Sequence, residues 1–131
     1  MATADGNELL NDDHTFIDGV SLSLNEACAL VSERFPMKAY CVVEQWTLFQ
    51  ADVSADDLAK IQTAGHLPLV VFAHRVIEDS RGRFQPGDWV RSSMCTSFDG
   101  SILAETKSTV YVLVGPGRRQ TASLKTIFSF F

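Results

Sequence analysis

The 131-residue chain reads as an α+β domain: a bent, mainly antiparallel sheet of about five to six strands, with two N-terminal helices and a short C-terminal helix. Three observations predict this. Serine-capped stretches with apolar residues at helical spacing occupy the first half of the chain. Short aromatic and β-branched runs, separated by tight-turn signals, fill the second half. The connections between the last strands are too short to cross over, which argues against a doubly wound parallel sheet.

The elements follow in order. Ser23 and Glu26 form an S-x-x-E capping box, and Leu24, Ala27, Cys28 and Val31 repeat at helical spacing before Pro36, giving a helix over 24–34. "AYCVVEQWTLF", 39–49, is a strand by its aromatic and β-branched content. Ser54 and Asp57 repeat the capping pattern, Val53 can staple onto Leu58, and Gly65 stops a second helix over 55–64. "LPLVVFAHRVI", 67–77, is the most apolar run and belongs in the middle of a sheet, with Pro68 tolerated only at its beginning. The "SRGR" bend and "QPGD", a type II turn signal, lead into a strand over 89–98. Asp99-Gly100 marks a two-residue hairpin into "SILAET", and "TVYVLV" is a further strand. Gly115-Pro116-Gly117 then reads as a turn into the closing segment, where Leu124, Ile127, Phe128 and Phe131 follow helical spacing behind a Ser123 cap.

Composition bounds the function classes. With 46% hydrophobic and 21% charged residues the chain can bury one core, so a single domain over 23–131 is expected, preceded by an acidic, loosely ordered arm at 1–22. No stretch approaches the roughly 20 apolar residues of a membrane span, and the N-terminus lacks a signal peptide's basic start, so a cytoplasmic protein without a membrane partner is expected. Cys28, Cys41 and Cys95 form no CxxC pair and read as buried small hydrophobes. The net charge of −5 is unevenly spread. Residues 1–66 carry eleven acids against three bases, and residues 67–131 carry five against eight.

Three groups of residues are candidates for chemistry. "VGPGRRQ" has the glycines of a phosphate loop but lacks its spacing, lysine and adjoining helix, and Pro116 removes a donor N–H. Asp88 with Glu105 and Lys107 echoes the acid-acid-lysine pattern of metal-dependent nucleases, although the Pro-Gly turn already accounts for Asp88 and a solvated strand face for the other two. Cys95 with His74 and Asp79 could form a nucleophilic set, without the sequence context such a site needs. His14 and His66 add no metal pattern. The largest group is cationic: Arg81, Arg83, Arg91, Arg118 and Arg119, with Arg75 nearby and Phe84 and Trp89 as stacking surface. Arginine makes forked contacts to carboxylate and phosphate, so an exposed rim of these residues would bind an acidic partner. The competing reading pairs the same arginines internally with the acidic first half.

The stretches "ERFP.KAYCVVEQW", "SRGRFQPGDWVRSS", "ETKSTVYVLVGPGRRQTAS" and "FSFF" resemble an uncharacterised family of small bacterial proteins, a domain of unknown function found chiefly in pseudomonads. The resemblance spans about residues 23–131. It implies a small accessory bacterial protein of a type carried near mobile or defence-related genes, and it transfers no catalytic residue.

The expectation is therefore a non-enzymatic module without a cofactor. It binds a protein partner through Arg81, Arg83, Phe84, Trp89, Arg91, Arg118 and Arg119, as an inhibitor or antagonist in phage–host or inter-bacterial conflict, for example of a nucleic-acid-targeting defence complex. The alternatives are a nucleic-acid-binding protein or degenerate nuclease on the same rim, and a homodimer joined through an edge strand or the Phe-rich C-terminus.

Overall fold

The structure is a computed structural model that describes residues 15–129. It contains β1 (Thr15–Ile17), α1 (Leu24–Arg34), β2 (Ala39–Ala51), α2 (Ala55–Thr63), β3 (Leu69–Asp79), β4 (Val90–Met94), β5 (Ser97–Phe98), β6 (Leu103–Glu105), β7 (Thr109–Leu113), β8 (Gly117–Ala122) and α3 (Leu124–Ser129). The α+β class holds. The described residues form eight strands, however, instead of five to six, and α2 follows the 13-residue β2, so the first two helices do not make an N-terminal pair.

Local chemistry explains the helices. Glu26 N–H donates to Ser23 Oγ at 3.1 Å while Ser23 N–H donates to Glu26 Oε1 at 3.0 Å, which closes the capping box of α1. Asp57 N–H donates to Ser54 Oγ at 3.1 Å at the start of α2, and Thr126 N–H donates to Ser123 Oγ at 3.1 Å at the start of α3. The predicted contribution of Phe131 to α3 lies outside the described residues.

The sheet curls back on itself. β2 pairs with β3, β3 with β4, β5 with β6, β6 with β7, and β7 with β2. β4 runs into β5 through Cys95 and Thr96, which change neighbours: Cys95 N–H donates to Leu69 on β3 at 2.8 Å and Thr96 N–H to Glu105 on β6 at 2.6 Å. The strand predicted over 89–98 is thus two strands. Inside the curl Cys41, Val43, Leu48, Val71, Cys95 and Leu113 form the main core. The outer face is covered in two places, by Ala27 and Val31 of α1 on Val42, Val110 and Val112, and by Ile127 of α3 on Phe49, Val70 and Phe72.

Three local readings are corrected. Asp99-Gly100 does not make a two-residue hairpin. Phe98 pairs with Ala104, and the longer loop between them is held by Asp99 Oδ1, which accepts from the N–H groups of Ser101, Ile102 and Leu103 at 2.8–3.0 Å. The arm expected at 1–22 is docked from residue 15 onward: β1 pairs antiparallel with β8, and Gly19, at φ 70°, packs on the Gly115 carbonyl so closely that a Cβ would overlap it. Residues 1–14, including His14, lie outside the described residues.

The third correction sets up the site. Gly115-Pro116-Gly117 does not reverse the chain. β7 runs parallel to β2 from Ala39↔Thr109 to Val43↔Leu113, and β8 continues parallel to the same strand from Trp46↔Gly117 to Ala51↔Ala122. Between these stretches β2 has two residues without a partner on this side and the β7–β8 segment has three, so the two fall one residue out of step. β2 absorbs the mismatch at Gln45, whose φ of 53° is the one positive value at a non-glycine position among the described residues. Val43 and Trp46, three apart, consequently both face the inner core.

Candidate functional site

The break in β2 and the jog between β7 and β8 enclose a groove of about 220 Å³. Phe16, Gln45, Thr47, His74, Pro116 and Arg118 are among its lining residues, contributed by β1, β2, β3 and the β7–β8 segment. The Trp46 indole closes its inner side. It packs where a Cβ on Gly117 would sit, and its Nε1–H donates to the Gly115 carbonyl at 3.1 Å. Gly117 is therefore needed for close packing, whereas Gly115, at φ 72° with open space around it, is needed for conformation.

Register organises the surface on either side. Phe16 is opposite Arg118, Arg118 opposite Thr47, Thr47 opposite Phe72, and Phe72 opposite Arg91. Directly opposed residues project from one face, so the five share it, with Thr47 and Phe72 buried between Arg118 and Arg91, which are three strand spacings or about 14 Å apart. The cations lie against aromatic rings. The Arg118 guanidinium is 5.6 Å from the Phe16 centroid, and that of Arg91 is 4.7 Å from the Phe128 centroid. Phe72, a buried member of the row, meets His74 edge-on at 4.9 Å and stacks with Trp89 at 6.4 Å. Phe16 is 74% exposed and Trp89 51%. Partial burial, with the Arg118 charge as a second contribution, lowers the His74 pKa below its usual value.

The predicted arginines do not meet on one rim. Arg81 and Arg83 follow Asp79, which pairs with Cys41 near the beginning of β2, whereas Arg118 pairs with Thr47 six positions further on, roughly 20 Å along the strand. Arg83 is committed to structure. Its Nη2 and Nε donate to Asp79 Oδ1 and Oδ2 at 2.7 and 3.0 Å, its Nη1 donates to Thr109 Oγ1 at 2.9 Å, and the guanidinium lies 5.8 Å from the Phe84 ring. That pair lies within the basic half of the chain. The pairing with the acidic half predicted for the arginines is seen between Arg75 and Glu44 at 3.2 Å. Arg119 donates to Gln50 Oε1 at 2.9 Å, and Arg81 is exposed on the turn with its backbone N–H on Asp79.

The other candidate sets are separated. Asp88 Oδ2 accepts from Gln85 N–H at 2.8 Å and closes its own turn beside β3, while Glu105, on β6, takes Lys38 Nζ at 2.6 Å and Ser97 Oγ at 2.8 Å; Lys107 is exposed after β6. The two acids are thus tied to different neighbours, Asp88 within its own turn and Glu105 to Lys38 and Ser97. Among the described residues no three His, Cys, Asp or Glu side chains are grouped to hold a metal ion. Cys95 is fully buried in the inner core, where burial pushes its pKa up to about 12, and His74 is exposed on the outer face. His66 follows α2, its N–H bonded to the Ile61 carbonyl. No described helix is long and apolar enough to cross a membrane.

Sequence reasoning placed Trp89, Arg91 and Arg118 in a binding set and missed Phe16, Gln45, Thr47 and Pro116. Only the register across β1, β8, β2 and β3 brings these together. No curated protein and no solved structure matches the chain. A family model does match, over residues 18–129, and it begins five residues before the expected limit of 23, at the segment where Gly19 packs on Gly115. With the match covering nearly the whole sequence, the chain belongs to the family described as Domain of unknown function (DUF6957).

Proposed function

We propose that the protein is a non-enzymatic binding module that engages a protein partner through the outer sheet face around the break in β2. The observation that carries this reading is the in-register row from Phe16 to Arg91, with Trp89 stacked beside it. Exposed aromatics such as Phe16 and Trp89, beside the half-buried Arg91 and Arg118, are residue types that anchor protein interfaces. The residues that a nuclease or a thiol enzyme would bring together are instead spent on turns, ion pairs and the core. A nucleic-acid partner is less well served, because polyanion affinity grows with the number of phosphates neutralised, and this face offers few cations on a chain of net charge −5. Such a module acts by covering part of its partner, which is how an inhibitor or antagonist works, including one in phage–host or inter-bacterial conflict.

The test is affinity capture with the wild type, the double variant Phe16→Ala/Trp89→Ala, and Lys107→Ala as an off-face control. A partner retained by wild type and control, but lost by a double variant that still melts cooperatively, is the expected result. Capture that ignores the double variant, or salt-sensitive binding of single-stranded DNA that depends on it, would overturn the reading.

A further inference from the structure

We infer that Arg91 anchors a carboxylate of the partner, a glutamate or aspartate side chain that meets the edge of its guanidinium between Trp89 and Phe128. This rests on the binding face proposed above and names the chemistry at its β4 end. Arg91 stands opposite Phe72 on the outer face, and Phe72 stacks with Trp89 at 6.4 Å, so the cation and the indole lie on the same side of the sheet. From α3, the Phe128 ring lies against the guanidinium, 4.7 Å from its centroid. Stacking of this kind fixes the plane of the fork without using its in-plane donors.

Those donors are poorly served within the chain. The Nε–H is buried without an acceptor, and Nη1 reaches the Phe128 carbonyl only at 3.4 Å, beyond the usual range of about 2.7–3.2 Å. No described carboxylate pairs with Arg91, whereas Arg75 has Glu44 and Arg83 has Asp79. The nearest acid in sequence, Asp88, is bonded to Gln85 N–H in its own turn. A half-buried arginine, fixed in plane and short of acceptors, is complementary to one planar anion. Lys125, three residues before Phe128 on α3, is exposed and adds a second positive charge on that side of the helix. Trp89 and Phe128, 51% and 38% exposed, take the apolar neighbours of the partner's acid. A nucleic acid would need a line of cations, whereas Arg91 and Lys125 make a single anion site.

The experiment follows the Arg91 Nε–H and the Trp89 indole N–H by NMR in the full chain. The probes are a blocked pentapeptide of alternating glutamate and leucine, its glutamine counterpart, and a ten-residue dT oligonucleotide. The glutamate peptide should shift both signals saturably, and Arg91→Gln, read at the indole, should weaken it by about tenfold or more. Lys125→Glu, at an exposed position, sets a competing acid beside the fork and should weaken it by roughly threefold, which decides the matter if Arg91→Gln perturbs folding. Equal binding of the glutamine peptide, affinity that neither substitution changes, or tighter binding of the oligonucleotide at the same signals would overturn the inference. If the two signals do not respond while Phe16→Ala/Trp89→Ala still abolishes partner capture, the carboxylate site falls and the binding face stands.

Discussion

Replacing Arg83 by alanine separates a structural arginine from an interface arginine. The Asp79 side chain has no exposure to water, and its oxygens accept from Arg83 Nη2, Nε and backbone N–H at 2.7–3.0 Å and from Arg81 N–H at 3.3 Å. Burial alone would raise the Asp79 pKa, and the bonds from Arg83 outweigh it, so the carboxyl sits below its usual value. A depressed carboxyl pKa stabilises the fold above the unfolded value near pH 4 and loses that contribution as pH falls through the folded value. Arg83→Ala removes the side-chain donors and leaves the burial, which turns Asp79 into a buried carboxylate lacking its cation. Breaking such a pair costs about 3–5 kcal/mol in a dry interior. The Arg83 side chain is 35% exposed, so water returns part of that, and ~2–3 kcal/mol at pH 7 is the expected loss. For a chain of this size that corresponds to a melting temperature lower by roughly 6–15 °C. Because protonation relieves the unpaired carboxylate, the gap between wild type and variant should narrow between pH 7 and pH 4.5. Arg81→Ala, which removes no side-chain bond to Asp79, should stay within about 0.5 kcal/mol. Calorimetry at the two pH values decides it: equal effects of the two substitutions, or a gap that ignores pH, would refute the ion-pair account.

Two further substitution and labelling tests address the core and the jog. Gly117→Ala must displace the Trp46 indole and strain its bond to the Gly115 carbonyl, at a cost of ~2–4 kcal/mol, whereas Gly115→Ala meets open space and costs only the left-handed conformation, about 1 kcal/mol; urea denaturation should rank them in that order, and the reverse order would restore a simple turn. Burial pushes Cys41 and Cys95 up to about 12, so at pH 8 a thiol reagent should reach at most Cys28 in the native protein and all three cysteines in urea.

The helices were legible because their signals are local. Ser23 with Glu26, Ser54 with Asp57, and the stops at Pro36 and Gly65 act within one turn, and α1 and α2 fall where those residues direct them. Strands built on continuous apolar runs, such as 69–79 and 109–113, were legible for the same reason. β8 was not, since "GRRQTA" has no apolar face of its own and becomes a strand only because the second half of β2 offers it an edge. β1, three residues in a polar stretch, depends in turn on β8. The arginines show the same division. Their presence in two turns could be read from the chain, while their separation along β2 and the commitment of Arg83 to Asp79 are consequences of pairing between distant segments.

The irregularity at Gln45 and the Gly115-Pro116-Gly117 jog are two sides of one device. Side chains alternate across a strand, so an uninterrupted β2 would send Val43 and Trp46 to opposite faces. If Val43 stayed in the core, the indole would then project to the outer face instead of lining the core. The left-handed residue turns the indole inward, Gly117 makes room for it, and the Gly115 carbonyl receives its N–H. The β7–β8 segment takes one more residue over the same span, which brings Arg118 opposite Thr47. The groove is thus the geometric remainder of a one-residue mismatch between two parallel segments. Its cationic side and its apolar walls arrive together because the mismatch fixes the register of every strand that lines it.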